Sequence, residues 1–257
     1  MLNIIRERLR QGRRTISYPA GDPPALSDRF RGLPVLKDEA CPEGCKVCAE
    51  VCPTQAIGFD DEGLNLDLGR CLFCGACEET CPNGVIRFSS DHRMAVTRRE
   101  DLVVRPERSY SLASPLEARE RSLFGRSLKL RQVCAGGDGS CEADLNVLGT
   151  VVFDIGRFGI QFVASPRHAD ALVVTGPITR NMVLAVNKTY EATPAPKLVI
   201  AVGVDALSGG VFRGHPEACD GLQNMLPIAL FIPGNPPHPL TILDGLLRLL
   251  GRLKREG

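Results

Sequence analysis

The sequence predicts two domains in tandem: a small cysteine-rich α+β domain, then a larger α/β domain with a mostly parallel sheet. Two observations carry this. Eight of the 11 cysteines crowd between Cys41 and Cys81, and only Cys134, Cys141 and Cys219 lie outside. From about residue 131 the texture changes to short β-rich runs, IQFVAS, ALVVTG, KLVIAVG and ALFIPG, each ending in glycine or serine. Helical-looking segments separate several of these runs, an alternation that places parallel strands under helices on the sheet faces. A length of 257 residues suits two modest domains.

Taken in order, residues 1–14 read as a short amphipathic helix, with Leu2, Ile5 and Leu9 on one face and Arg6, Arg10, Arg13 and Arg14 elsewhere. The Pro/Gly-rich stretch SYPAGDPPALSDRFRGLP follows as an extended arm, so that residues 1–34 form one unit. Residues 35–100 hold the cysteine block. Inside it AIGFDDEGLNLD reads as a hairpin turning at Asp60–Gly63, and SSDHR as a polar turn between VIRF and MAVTR. Residues 101–130 read as a linker whose LASPLEARERSLFGRSL is a connecting helix. Residues 131–257 form the second domain, closed by LTILDGLLRLLGRLKR, a helix with leucines at helical spacing and a basic end that suits its dipole.

Composition is that of an ordinary soluble chain, 44% hydrophobic and 24% charged. A net charge of +1 gives no reason to expect nucleic acid as a partner. No apolar run approaches the ~20 residues that span a bilayer. The basic N-terminus lacks the apolar core and cleavage site of a secretory signal, which points to an intracellular protein. In that setting a dense cysteine block with short repeated spacings indicates a metal site rather than disulfides.

The spacing identifies the metal chemistry. CLFCGACEETCP sets Cys71, Cys74, Cys77 and Cys81 in a C-x2-C-x2-C-x3-C-P run, and CPEGCKVCAEVCP sets Cys41, Cys45, Cys48 and Cys52 with one extra residue in the first interval. A four-iron cubane needs four thiolates. Three close cysteines wrap one cluster, and the fourth, carried away by the following proline, ligates the other. Cluster one is therefore assigned to Cys41, Cys45, Cys48 and Cys81, and cluster two to Cys71, Cys74, Cys77 and Cys52. Structural zinc sites pair C-x2-C units across a longer loop and do not need the C-x3-C-P tail. Gly44 is the residue able to absorb the extra position, and Gly75 and Ala76 are small enough to let backbone N–H groups approach the sulfur.

Two stretches resemble known families. Residues 15–99, through TISYPAGDPPALSDRFRGLP, LGRCLFCGACEETCP and VTRRE, resemble the two-cluster ferredoxin subunit of formate hydrogenlyase and its relative in respiratory complex I. Residues 126–251, through RSLKLRQV, FDIGRFGI, ASPRHADALVVTGPITRNM, TYEATPAPKLVIAVG, SGGVF, IPGNPP and ILDGLL, resemble the small subunit of energy-converting [NiFe] hydrogenases, itself related to the complex I 20 kDa subunit. The resemblance implies a fusion with an α+β ferredoxin-like two-cluster domain followed by an α/β flavodoxin-like domain.

It also implies where a further cluster would sit. The family's four cysteines fall on Asp138, Cys141, Asp205 and Asn235, of which only Cys141 is a cysteine. Asp205 follows KLVIAVG and Asn235 follows ALFIPG, so both belong to loops at carboxyl ends of strands, where open parallel sheets place their sites. Iron–sulfur clusters are held by thiolates, and Cys134 adds at most a second one. The expectation is two [4Fe-4S] clusters, no third, and a degenerate site that is a remodelled polar pocket or a seat for a hard cation.

The other candidates read more plainly. Cys219 is a packed thiol. His168 is a hydrogen-bonded structural residue or a redox-linked one, and Arg167 and Arg180 steady site-facing loops or a partner interface. His92, His215 and His238 show no ligand spacing. SGGVF lacks the following Lys-Ser/Thr of a phosphate loop. The basic N-terminal helix suits lipid headgroups or a partner subunit equally. By resemblance the chain is a non-catalytic electron-transfer subunit on the cytoplasmic face of a membrane complex. Its implied partners are membrane subunits and a large subunit like that of [NiFe] hydrogenase or the 49 kDa subunit of complex I. The alternatives are a true hydrogenase or formate hydrogenlyase small subunit with an irregular third cluster, and a non-redox scaffold.

Overall fold

The computed structural model describes residues 2–37, 41 and 44–253. Helix α1 (Leu2–Gln11) opens the chain with Ile5 and Leu9 exposed. The arm behind it has no regular element until β1 (Pro34–Leu36), yet it is fastened along its length. Ile16 N–H donates to the Val152 carbonyl at 2.9 Å. Arg157 donates to the carbonyls of Ile16 and Tyr18 at 2.8 and 2.7 Å. Tyr18 is buried, and its hydroxyl donates to Asp244 at 2.5 Å.

In the cysteine domain a short helix lies within or after each cysteine run, α2 (Val47–Glu50) and α3 (Ala76–Thr80). The hairpin forms as the alternation requires. β2 (Ile57–Asp60) pairs antiparallel with β3 (Gly63–Asp67), and Asp60 stands opposite Gly63. Leu64 and Leu66 point inward while their neighbours are partly exposed, the period of two expected of a half-buried strand. β4 (Ile86–Phe88) pairs with β1. MAVTR forms no strand of its own. Instead Val96 and Phe231 exchange backbone hydrogen bonds at 3.0 and 2.9 Å, which ties the domain to the second sheet.

Residues 101–130 carry β5 (Val103–Val104), which extends the hairpin sheet beside β3, then α4 (Ala118–Phe124), and the start of β6 (Leu128–Cys134). The helix is shorter than LASPLEARERSLFGRSL suggests. Pro115 disfavours helical backbone before it, and Leu116 spends its N–H on the Leu249 carbonyl at 2.9 Å.

The second domain is a five-stranded sheet in the order β10 (Leu230–Ile232), β9 (Leu198–Val202), β8 (Ala171–Thr175), β6, β7 (Ile160–Phe162), with every pairing parallel. Numbered within the domain this is 2-1-3-4-5, the flavodoxin-like doubly wound order, whose switch point lies between β6 and β8. β6 is the strand that the β-branched runs do not reveal. LKLRQVC has one valine, and its buried Leu128 and Leu130 alternate with exposed Lys129. Along β8, Leu172 and Val174 enter one core while Ala171 and Val173 enter the other, so both faces are covered. The first of these cores also contains Leu36, Leu64, Leu66 and Ile86, which makes the interior of the cysteine domain continuous with one sheet face.

The helices are α5 (Ser140–Val147), α6 (Arg180–Ala192), α7 (Val204–Ser208) and α8 (Pro239–Leu249). Every residue of α8 is buried, including Asp244 and Arg248, which pair at 2.8 Å. Of the basic end expected there, Lys254 and Arg255 lie outside the described residues. Among the described residues, no helix is long and apolar enough to cross a membrane.

Candidate iron–sulfur centres

The two cysteine runs interlock. The thiols of Cys41 and Cys81 stand near enough to Cys48 to act on its ionisation. Those of Cys52 and Cys74 act in the same way on both Cys71 and Cys77. Cys52, Cys71, Cys74 and Cys77 line one space with Ile57, Leu66 and Phe88. Cys52, the last cysteine of its run, thus stands among Cys71, Cys74 and Cys77, and Cys81 stands near Cys48, while Cys45 is half-buried. Gly44, placed in the lengthened interval, has φ +77°, while its neighbours Pro42 and Glu43 lie outside the described residues.

Backbone N–H groups aim at the sulfur atoms. Ala56 donates to Cys52 at 3.2 Å, Phe73 to Cys71 at 3.3 Å and Val85 to Cys81 at 3.4 Å. Burial raises the Cys81 thiol, but the N–H groups of Val85, Asn83, Gly84 and Ile86 outweigh it and hold the group below the ordinary thiol value. At Cys71 burial dominates and, helped by the neighbouring thiols, pushes the group up to about 12; Cys77 rises for the same reasons to about 11. Clustered buried thiols are costly to ionise alone and become thiolates when a metal binds them. Apolar walls and N–H donors aimed at sulfur fit a four-iron cluster, whose four thiolates sit on four different irons. Among the described residues no three His, Cys, Asp or Glu side chains stand close enough to share a single ion.

One contributor came from outside the motif. Gly75, between Cys74 and Cys77, has φ +84° and N-caps α3. A Cβ there would lie 2.5 Å from Nε of Arg31, so the guanidinium of this arm residue covers the turn. Arg31 also pairs with Glu79 at 3.6 Å. Nothing local in the sequence marks it, because the contact is made across the fold.

Asp138, Cys141, Asp205 and Asn235 lie beyond the carboxyl ends of parallel strands. Asp138 and Cys141 follow β6 at the switch point, Asp205 follows β9, and Asn235 follows β10. Gly203 N–H donates to the Ile232 carbonyl and Val204 N–H to the Gly234 carbonyl, each at 2.9 Å, which holds the last two loops together. Cys141 Sγ packs on Gly203, where a Cβ would come within 2.4 Å of it, and Asp205 packs in the same way on Gly210. Burial, then Glu142, Asp205 and Asp138, push Cys141 up to about 12. Burial, then Asp138 and Glu142, push Asp205 up to about 6. Asp138 is exposed and turned to its own helix, accepting from Ser140 N–H at 2.9 Å and Ser140 Oγ at 2.6 Å. Asn235 is exposed on a cis Asn235–Pro236 loop.

Cys134 is exposed and interacts with Glu142, which in turn accepts from Thr175. Cys219 is half-buried against the core. His168 is exposed on a short turn. Arg180 donates to the Pro216 carbonyl and its N–H to Glu217, so it holds the loop beyond SGGVF. His238 accepts from Leu240 N–H at 3.1 Å and caps α8.

Two families match this chain. Residues 134–249 match the 20 kDa subunit of NADH ubiquinone oxidoreductase. Residues 40–85 match the 4Fe-4S dicluster domain. A "Probable membrane-bound hydrogenase subunit mbhJ" of Pyrococcus furiosus is 40% identical over 132 residues, covering 51% of this chain and 79% of that one. An NADH-quinone oxidoreductase subunit of Citrifermentans bemidjiense is 40% identical over 116 residues, covering 45% and 68%. A chain of a membrane-bound sulfane sulfur reductase, an archaeal respiratory membrane complex, overlays with a TM-score of 0.47 at 29% identity, covering 53% of this chain and 75% of that one.

Proposed function

Because the chain belongs to the NADH ubiquinone oxidoreductase 20 kDa subunit family, with a 4Fe-4S dicluster domain ahead of the family segment, we propose that it is an electron-transfer subunit of a membrane-associated complex related to complex I and the membrane-bound hydrogenases. It carries electrons and catalyses no reaction of its own. Two [4Fe-4S] clusters reside in residues 35–100, one on Cys41, Cys45, Cys48 and Cys81 and the other on Cys71, Cys74, Cys77 and Cys52. Residues 131–257 dock a large subunit, residues 101–130 join the two parts, and the assembly sits on the cytoplasmic face of the membrane.

The observation that carries this reading is the interlock, with Cys52 among Cys71, Cys74 and Cys77 and Cys81 beside Cys48. Each four-iron cluster supplies one-electron storage at a potential set by charge, hydrogen bonds to sulfur and exposure. The chain's own part is to present the thiols, aim N–H groups at them, and keep water out with Ile57, Leu66 and Phe88. The degenerate site holds no cluster, because Asp138, Asp205 and Asn235 supply oxygen and nitrogen where thiolate is required.

Iron and acid-labile sulfide quantification on the purified chain, with low-temperature EPR, tests the reading. About eight irons per chain are expected. About four would remove one cluster, and about twelve would restore the third. Nickel in the purified complex together with hydrogen-dependent dye reduction would replace the proposal with a working hydrogenase.

A further inference from the structure

We propose that Arg31 sets the direction of electron flow inside the small domain. Its guanidinium, laid on the Cys74–Cys77 turn, makes cluster two easier to reduce than cluster one. This inference rests on the two-cluster reading above. With both clusters in place, one electron would pass from reduced cluster one, oxidising it, to cluster two, reducing it, with no bond made or broken.

The geometry is specific. Nε, Cζ and Nη2 of Arg31 all lie within 2.5–2.6 Å of where a Cβ on Gly75 would be, so no side chain separates the cation from the turn backbone. The left-handed φ of +84° at Gly75 belongs to the same arrangement, because glycine adopts it without steric cost. Arg31 is itself held in place. The next two residues, Gly32 and Leu33, donate to the carbonyls of Ser89 and Asp91 at 2.7 and 2.8 Å. Glu79 steadies the guanidinium at 3.6 Å and offsets part of its charge.

Around cluster one the comparable cation is the exposed Arg87, whose Nη2 lies 2.9 Å from where a Cβ on Gly84 would be, in the turn after Cys81, whereas Arg31 is half-buried. The residue between Cys45 and Cys48 that corresponds to Gly75 is Lys46, whose side chain is exposed, and among the described residues nothing lies within 4 Å of a Cβ built on Gly44. Reduction adds one negative charge to a cluster, and a fixed, partly desolvated cation favours that charge more than a solvated one does. The bias points toward the second domain. Leu72 and Phe73 of the same turn, with Arg31, line a cavity of about 210 Å³ whose opposite wall is Asn235 to His238.

A redox titration of the full chain followed by EPR reads both clusters in one sample. Arg31→Gln is expected to lower the cluster-two midpoint by a threefold to tenfold change in its reduction equilibrium, about 30–60 mV for one electron, and to leave cluster one in place. Glu79→Gln is expected to move cluster two the opposite way, Arg31→Lys to keep most of the parent value, and added salt to shrink both shifts. A structural defect would not give shifts of opposite sign. Two intact clusters with unmoved potentials in Arg31→Gln and Glu79→Gln overturn the role of Arg31 alone. A parent chain without a second cluster signal overturns the functional reading itself. Should Arg31→Gln lose cluster two, Glu79→Gln decides: a raised midpoint supports the role and an unmoved one overturns it.

Discussion

The cysteine domain and the switch-point crevice both gather side chains from distant segments, but they satisfy them differently. In the cysteine domain the sulfur atoms receive backbone N–H groups from Ala56, Phe73 and Val85 and face one another. At the crevice, Asp138 is satisfied by Ser140, Cys141 lies on Gly203, and Asp205 lies on Gly210. The crevice walls are the ends of a sheet with an apolar core on each face, one of them rich in Leu and Ile and free of cysteine. The strands of the cysteine domain are two to five residues long, and much of what converges at its centre is thiol. A doubly wound domain with its own apolar core depends less on a bound group than a small domain built round its ligands.

Metal removal is expected to have the largest effect. Chelation under reducing conditions is expected to abolish amide protection across residues 41–104 while β6, β8 and β9 stay protected, as hydrogen exchange would read. Uniform loss, or uniform retention, would show the two regions to be equally dependent on metal. The converse experiment restores ligands. With Cys141 present, the triple variant Asp138→Cys, Asp205→Cys, Asn235→Cys is expected to gain about four irons on reconstitution. No gain would mean that the crevice has lost its shape as well as its thiolates.

Smaller effects come from buried and half-buried charged groups of the second domain. Tyr18 of the arm bonds Asp244, which pairs with Arg248 inside α8, so this buried group fastens the arm to the second domain. Asp244→Ala leaves Arg248 buried without that partner and is expected to cost about 3–5 kcal/mol in denaturant melts of the second domain. Arg248→Met in the same background should recover much of the loss.

Asp205 has the mildest effect, and its sign is fixed. Its group is raised from 3.8 to about 6, so the unfolded chain ionises before the folded one. Stability accordingly falls as pH climbs from about 4 to about 6, and the penalty is complete above that window. Asp205→Asn should raise stability near pH 7.5 by about 2 kcal/mol and change nothing near pH 3.5, as thermal melts at the two values would read. A benefit that persists at the lower pH would place its origin elsewhere.

Much of the fold was legible. The hairpin turning at Asp60–Gly63, the run-to-strand correspondence of β7 to β10 and the buried leucines of α8 all follow from local patterns. β6 was not legible, since Lys129, Arg131 and Gln132 dilute its pattern and its place between β7 and β8 comes from pairing alone. The arm read as irregular, which it is, but its anchoring through Tyr18 and Arg157 depends on partners more than a hundred residues away.

Spacing along the chain fixes which thiols lie within one turn of one another, and residue type fixes that Asp138, Asp205 and Asn235 offer no thiolate. Tertiary structure decided what those residues meet. It brought Cys52 beside Cys71, Asp205 beside Cys141, and Arg31 onto Gly75. Ligand preference is a property of single side chains and short spacings, so it can be read along the chain. The field around a site is a sum over groups brought close by folding, and no local pattern contains it.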